Sequence, residues 1–380
     1  MNSFTGLPSP DIIVIGGGVA GASAAFFLAL SGARVTLLER DGVAGHASGM
    51  SAGGLNPLEG EHIPGALSDF AMRSYRLHLE LWEELAERSD VTFAPRIVPW
   101  IRIALSDDDL PDLESASQAF NGADGFSAEM LDRAAVLDME PRISPDVIGG
   151  VYVYGNAAVD SHALTLALVT AAEAMGTTFV RADVTGISVD GDRQITVEVG
   201  SETLTAPSVV VAAGPWSAAL LQSCGIELPV GPLKGEILRL DPPGPMFRHD
   251  IAYPGGEAHP KLDGLVWVGA TVENAGFDTR TSEWARARLM ADAVRAIPVL
   301  ARSKVSEQTA CLRPVTPDGL PVIGPVPGRD GLYIASGAGK KGILLGPAMG
   351  RAITDLVVSG RTGLPVGPFA PDRFDQLTGD

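Results

Sequence analysis

Three glycines, Gly16, Gly18 and Gly21, give the spacing G-x-G-x-x-G between a short β-rich run, Ile12 to Ile15, and an apolar stretch that begins at Val19. In that setting the spacing holds a pyrophosphate. Gly16 permits the tight turn, Gly18 lets the phosphates approach the backbone, and Gly21 lets a helix pack closely on the strand. The free N–H groups and positive end of that helix face the anion. Glu39 ends a second β-rich run and closes the unit. Its carboxylate can accept hydrogen bonds from a ribose 2′-hydroxyl and would repel a 2′-phosphate, so NADP is disfavoured.

Two later segments also carry chemistry. Ser336-Gly-Ala-Gly-Lys-Lys-Gly-Ile-Leu-Leu345 again sets glycines before a helix start, where backbone N–H groups could hold an anionic ring edge. The plainer reading is a glycine-rich surface loop with two solvated lysines, Lys340 and Lys341. In Cys311-Leu-Arg-Pro-Val-Thr-Pro-Asp-Gly-Leu-Pro-Val-Ile-Gly324, Arg313 sits among apolar residues and prolines. Its guanidinium could grip a carboxylate through two parallel hydrogen bonds, or could serve in a structural ion pair.

The elements that must position these residues follow from periodicity. Residues 68 to 88 place Leu77, Leu81 and Leu85 beside Trp82 at helical spacing, and 96 to 105 turn strand-like. A helix is predicted from Ser127 to Asp138, stopped by Pro141. A strand follows at 151–154, then a helix from Ser161 to Met175 with Ser161 as its cap and Gly176 past its end. Residues 178–181, 184–189, 195–199 and 208–213 are β-rich, with a turn at Asp190-Gly191. Short strands at 235–240 and 265–270 and a helix from Ser282 to Ile297 suggest a second sheet. The chain then returns to strand and helix at 331–336 and from about Ile343 to Val358.

The chain has 380 residues, room for two lobes, and a formal charge of −18 that repels nucleic acid and anionic membrane surfaces. Cys224 and Cys311 are the only cysteines, with no His or Cys cluster at metal spacing, so neither a disulfide framework nor a metal site is expected. No apolar run approaches the roughly 18 residues of a membrane span, and a soluble cytoplasmic protein is the default reading.

Taken in order, these segments resemble the D-amino acid oxidase family of FAD-dependent oxidoreductases, and most of all its glycine oxidases. The resemblance runs through the N-terminal glycine loop, Asp69-Phe-Ala-Met72, Val209-Val-Val-Ala-Ala-Gly-Pro-Trp-Ser217, Lys234-Gly-Glu236, Val268-Gly-Ala-Thr271, Leu312-Arg-Pro314, Pro317-Asp-Gly319 and Gly342-Ile-Leu-Leu345. It implies an α/β, two-lobe fold. A Rossmann-like FAD-binding domain, discontinuous over 1–90, 145–220 and 310–380, would carry an antiparallel-sheet substrate domain built from 91–144 and 221–309.

The same resemblance places the cofactor. Gly16, Gly18, Val19, Ala20 and Gly21 would lie by the pyrophosphate, Glu39 and Arg40 by the adenosine ribose, and Val184 by adenine. Ala47, Ser48, Ala52, Gly53 and Gly54 would line pyrophosphate and isoalloxazine, Gly214 the return strand, and Ala338, Gly339, Lys340, Lys341, Gly342, Ile343 and Leu344 the pyrimidine edge. Arg313 matches the arginine that binds the substrate carboxylate. The implied reaction oxidises an amino acid or secondary amine by hydride transfer from its α-carbon to flavin N5, and oxygen then yields peroxide. A dehydrogenase using a quinone or other carrier is the alternative, and a non-catalytic redox sensor a remoter one. A homo-oligomer is left open.

Departures from the family mark where specificity differs. Lys340 stands where glycine oxidases carry an arginine, and Gly54 where they carry a methionine, which enlarges the pocket. The family tyrosine three residues before Pro254 is Ile251, with Tyr253 close by as a substitute substrate contact, and 255–264 reads as an insertion. Monomeric sarcosine oxidases attach flavin to a cysteine at the offset of Cys311, and other relatives to a histidine near His46. Non-covalent FAD is the expectation here.

Overall fold

The computed structural model describes residues 9–190 and 194–377. The turn expected at Asp190-Gly191 falls partly on 191–193, outside the described residues. Six strands form the first sheet, in the order Val322–Pro325, Leu332–Ser336, Ser208–Val211, Ile12–Ile15, Val35–Glu39, Thr178–Arg181, all parallel except the first. Its central strands are buried on both faces, which is why they read as unbroken apolar runs. On one face Val14 and Leu37 meet the helices Val19–Leu30, Ser161–Ala174 and Gly342–Ser359. Against the other, Ile13, Ile15 and Leu38 pack on a three-stranded antiparallel sheet, Gly186–Asp190, Gln194–Val199 and Glu202–Ala206.

Eight strands form the second sheet, in the order Lys304–Val315, Gly231–Asp241, Val266–Gly269, Gly256–Pro260, Asp250–Tyr253, Trp100–Ala104, Gly149–Tyr154, Ser127–Asp132. Neighbours are antiparallel except Asp250–Tyr253 with Trp100–Ala104. Helix Glu283–Ala296 covers its outer face, with Leu289, Ala293 and Ala296 packed on Leu238, Ile251 and Val268.

Several expectations shift. The helix expected over Ser127 to Asp138 is a strand, Ser127–Asp132, followed by a helix, Arg133–Met139. Residues 127–132 pair along their whole length with Gly149–Tyr154, and the Asp132 carboxylate accepts from the Ala135 N–H, so the helix cannot begin earlier. Asp160, not Ser161, caps the next helix, accepting from the Ala163 N–H. The segment read as an insertion at 255–264 contains the interior strand Gly256–Pro260. Gly149–Tyr154, assigned by sequence to the nucleotide side, belongs to the eight-stranded sheet, and Lys304–Val315 crosses the boundary expected at 310. Residues 339–359 have the length and hydropathy of a membrane span, against the sequence reading. In the fold they form a largely buried helix packed on Val19–Leu30 and Ser68–Arg88.

Candidate functional site

A cavity of about 1040 Å³ runs between the six-stranded sheet and the inner face of the eight-stranded one. At one end lies the glycine turn. Gly16 has φ +110°, and a Cβ there would stand 2.4 Å from the Ala212 carbonyl oxygen, while one on Gly21 would stand 1.9 Å from the Gly16 oxygen. Only glycine lets the helix start this close to the strand ends. Ser48 Oγ accepts from the Val19 N–H at 2.9 Å and so ties the segment 47–50 to the helix start. Glu39 Oε2 accepts from the Gly17 N–H at 2.7 Å, and Oε1 from the Asp41 N–H at 2.7 Å. Arg40 lies over the Trp216 ring, 5.1 Å from its centroid, beside His46, whose Nε2 is 2.7 Å from Asp41 Oδ2.

The far wall is the sheet's inner face. Pairing register puts Arg313, Cys311, Gly235, Ile237, Glu257, His259 and Arg102 on one side of it, and all but Gly235, which lies under the Arg313 guanidinium, line the cavity. Arg313 Nη1 donates to the Thr271 carbonyl at 3.1 Å and makes a long contact with the Lys234 carbonyl at 3.5 Å. Among the described residues no carboxylate lies within 4.0 Å of it, so the structural ion pair is not its partner. Burial pulls its pKa below the ordinary arginine value, and the cation stays charged and unpaired.

The strand under Arg313 is fixed by a buried polar knot. Glu236 accepts from the Ser282 N–H and Oγ and from Gln308 Nε2, and its Oε1 is 3.0 Å from Lys234 Nζ. Burial opposes that carboxylate, but the bonds from Gln308, Lys234 and Ser282 carry its pKa below the usual range. Thr271 Oγ1 accepts from the Glu236 N–H and donates to Glu273, setting the carbonyl that holds Arg313.

A charged cluster occupies another part of the same wall. His259 is buried, with Nδ1 2.7 Å from Asp250 Oδ2 and Nε2 3.2 Å from Glu257 Oε2. Burial opposes its positive charge, yet Asp250 and Glu257 raise its pKa to about 9. Arg102 pairs with Glu59 at 3.2 Å, and Lys341 Nζ donates to the Asn56 carbonyl at 2.8 Å. Burial pulls the Lys341 ammonium below the usual lysine range, with Glu257 and Glu59 pulling back.

A model of the DAO family, described as FAD dependent oxidoreductase, matches residues 11–356. The chain belongs to this family. Its cofactor is FAD. The glycine oxidase of Pseudomonas putida is 30% identical over 370 residues, spanning 96% of this chain and 99% of that one. The crystal structure of glycine oxidase from Geobacillus kaustophilus matches with a TM-score of 0.90 at 30% identity, covering 96% of this chain and 99% of that one. Iminodiacetate oxidase from Chelativorans sp. BNC1 matches with a TM-score of 0.87 at 26% identity, covering 95% and 98%.

The cradle fits the DAO family's cofactor. Gly16, Gly18, Val19, Ala20, Glu39 and Arg40, Val184, Ala47, Ser48, Ala52 to Gly54, Gly214 and Ala338 to Ile343 line one continuous cavity, whereas Gly21, expected beside them, stands behind the turn against the Gly16 carbonyl. A Cβ on Gly54 would meet nothing within 4 Å, so its missing side chain leaves open space. Lys340 lines the cavity and makes no ion pair among the described residues. Two expected contacts are corrected. Leu344 is 1% exposed, buried in the helical core away from the cavity, and its carbonyl accepts from Ser74 Oγ. Tyr253 reaches the cavity only at the strand's end, because alternation turns its ring to the outer face among Leu289 and Ala293, where burial pushes its pKa up. Its neighbour Ala252 faces inward beside Arg102 and Glu257. The sequence reading missed Glu59, Arg102, Asp250, Glu257 and His259 altogether. The alternation of Asp250 with Ala252 and of Glu257 with His259 was the available signal.

Proposed function

We propose that this protein oxidises an amino acid, or a secondary amine bearing a carboxylate, and returns its electrons to oxygen as hydrogen peroxide. The unpaired Arg313 guanidinium in the FAD cavity carries the reading. A carboxylate is the anion that its planar fork matches through two parallel hydrogen bonds. With the carboxylate held there, rotation of the substrate is restricted and its α-carbon is presented to one side of the cavity. Bound FAD supplies the acceptor for the hydride leaving that carbon. The amides from Ala338 to Ile343 and the start of helix Gly342–Ser359 stabilise negative charge on a ring edge beside them. The sheet face walls the reacting carbon off from bulk water. Cys311 is buried and its thiol pushed up, so it stays protonated and is a poor nucleophile, which favours FAD held without a covalent bond.

The test is anaerobic addition of glycine, sarcosine and a panel of D- and L-amino acids to the purified flavoprotein. Bleaching of the flavin followed by peroxide on admitting air supports the proposal. Bleaching without peroxide selects a dehydrogenase, and no bleaching with any carboxylated amine sinks it. Arg313→Ala should raise KM for carboxylated substrates far more than it lowers FAD content.

A further inference from the structure

Of the two carboxylates that the eight-stranded sheet presents to the cavity among the described residues, Asp250 is nearly buried and Glu257 is open. Its side chain is 49% exposed, open to the cavity, while Oε2 is fixed by His259. His259 is in turn anchored by Asp250, so the imidazole is gripped at both nitrogens. Partial loss of water inside the cavity works against ionisation of Glu257, but His259 first, then Lys341 and Arg102, hold its pKa below the ordinary value. Among the described residues His259 is the only cation within 4.0 Å. Arg102 is taken by Glu59, and Lys341 is turned to the Asn56 carbonyl. Glu59 and Tyr253 are the remaining titratable neighbours, both with pKa values raised chiefly by burial. The second oxygen of Glu257 therefore offers an ionised acceptor to the cavity.

Its place relative to Arg313 follows from register. Glu257 pairs with Gly269, Gly269 with Ile237, and Ile237 with Thr309, and Arg313 lies further along that last strand. Crossing three strand spacings and four residues amounts to about 14 Å by about 13 Å measured along the sheet. The Arg313 guanidinium leans over Gly235 and closes part of that span, the Glu257 carboxylate turns the other way to His259, and a molecule the size of glycine does not bridge the rest. A carboxylate held by Arg313 leaves the reacting amine beside Arg313, not at Glu257.

We propose that Glu257 is the anionic pole of the substrate pocket, selecting carboxylated amines that carry a second, cationic group at their far end and repelling those with a second carboxylate there. This rests on the reading of the site as a carboxylate-binding FAD oxidase. A cationic end group gains a charge-assisted hydrogen bond at Glu257, and a neutral alkyl end gains none.

Two unreactive ligands separate the terms: hexanoate, and 6-aminohexanoate, which adds only a distal ammonium. Perturbation of the flavin absorbance on titration gives the affinity of each for the FAD-loaded protein. The proposal predicts 6-aminohexanoate to bind about tenfold more tightly than hexanoate, and Glu257→Gln to erase that preference. In turnover, lysine should be favoured over norleucine, by KM rather than kcat, and glutamate disfavoured. Hexanoate binding with no advantage for the amino ligand overturns this proposal and leaves the oxidase reading standing. If neither ligand perturbs the flavin and no carboxylated amine reduces it, both fall. If Glu257→Gln weakens all substrates equally, Glu257 serves the reacting amine and the proposal is wrong. The ligand pair on the unaltered protein decides the question even if the variant does not fold.

Discussion

His78 supplies the hydrogen bond that Pro347 withholds. Pro347 lies inside helix Gly342–Ser359 and has no N–H for the Ile343 carbonyl, four residues earlier. His78, on the neighbouring helix Ser68–Arg88, donates from Nε2 to that oxygen at 2.9 Å. One turn away Ser74 completes the splice, donating to the Leu344 carbonyl and accepting from the Ala348 N–H. The helix whose first turn lines the cavity is thus held intact by side chains from a second helix.

This repair depends on pH. Burial holds His78 neutral, with a pKa lowered to about 4 against the bonds to the Ile343 and Leu344 carbonyls. The unfolded chain binds a proton that the folded one refuses, so the contribution is complete above about pH 6.5 and is lost as pH falls toward 4. Between pH 7 and 5 the loss from this residue should be about 2 kcal/mol, at about 1.4 kcal/mol per unit below pH 6.5. Denaturant titrations should show a shallower pH slope for His78→Gln, and identical slopes would remove His78 from the account.

Gly235 makes room for Arg313. A Cβ at 235 would stand 2.1 Å from Arg313 Nη2, so Gly235→Ala must push the guanidinium off the sheet. KM for a carboxylated substrate should rise by about tenfold or more, an energy of about 1.4 kcal/mol, with the flavin retained. Unchanged KM in a folded, flavin-loaded variant would mean that Arg313, as placed here, does not bind the substrate.

Glu39 works before any ribose arrives. By accepting from Gly17 and Asp41 it fixes both edges of the nucleotide turn. Glu39→Ala should raise the FAD dissociation constant by about ten- to a hundredfold, read by fluorescence titration of the stripped protein, because three backbone donors, Gly17, Asp41 and Gly42, lose their partner. Equal affinity would show that the turn is held by its strands alone.

The cradle was legible in the sequence because its residues answer to local rules: glycines at a strand-to-helix turn, an acid at a strand end, glycines before a second helix. Arg313 was visible by the resemblance of its motif. The Asp250–His259–Glu257 series was not, since it depends on which face of a strand looks inward, and 255–264 read as an insertion with no strand assigned to it. Tyr253 was misplaced for the same reason, one residue of alternation separating it from Ala252. Ser127 to Leu131 read as helix because pairing with Gly149–Tyr154 is decided by partners distant in sequence. Pro347 was in plain view, but its repair by His78 required the packing of two helices.

Gly54 lines the cavity without filling it. Its Cβ position is free of neighbours within 4 Å and its φ is not in the left-handed region, so a side chain costs the fold little. Gly54→Met should therefore leave thermal stability within about 0.5 kcal/mol of the parent, as for substitutions without a steric conflict. The added volume enters the cavity itself. Turnover of glycine or sarcosine should persist, while kcat/KM for amino acids with long side chains falls by about tenfold, roughly the effect of a few methylenes that no longer fit. A uniform loss across short and long substrates would place Gly54 against the cofactor rather than the substrate, and a gain for long substrates would contradict the open-pocket account.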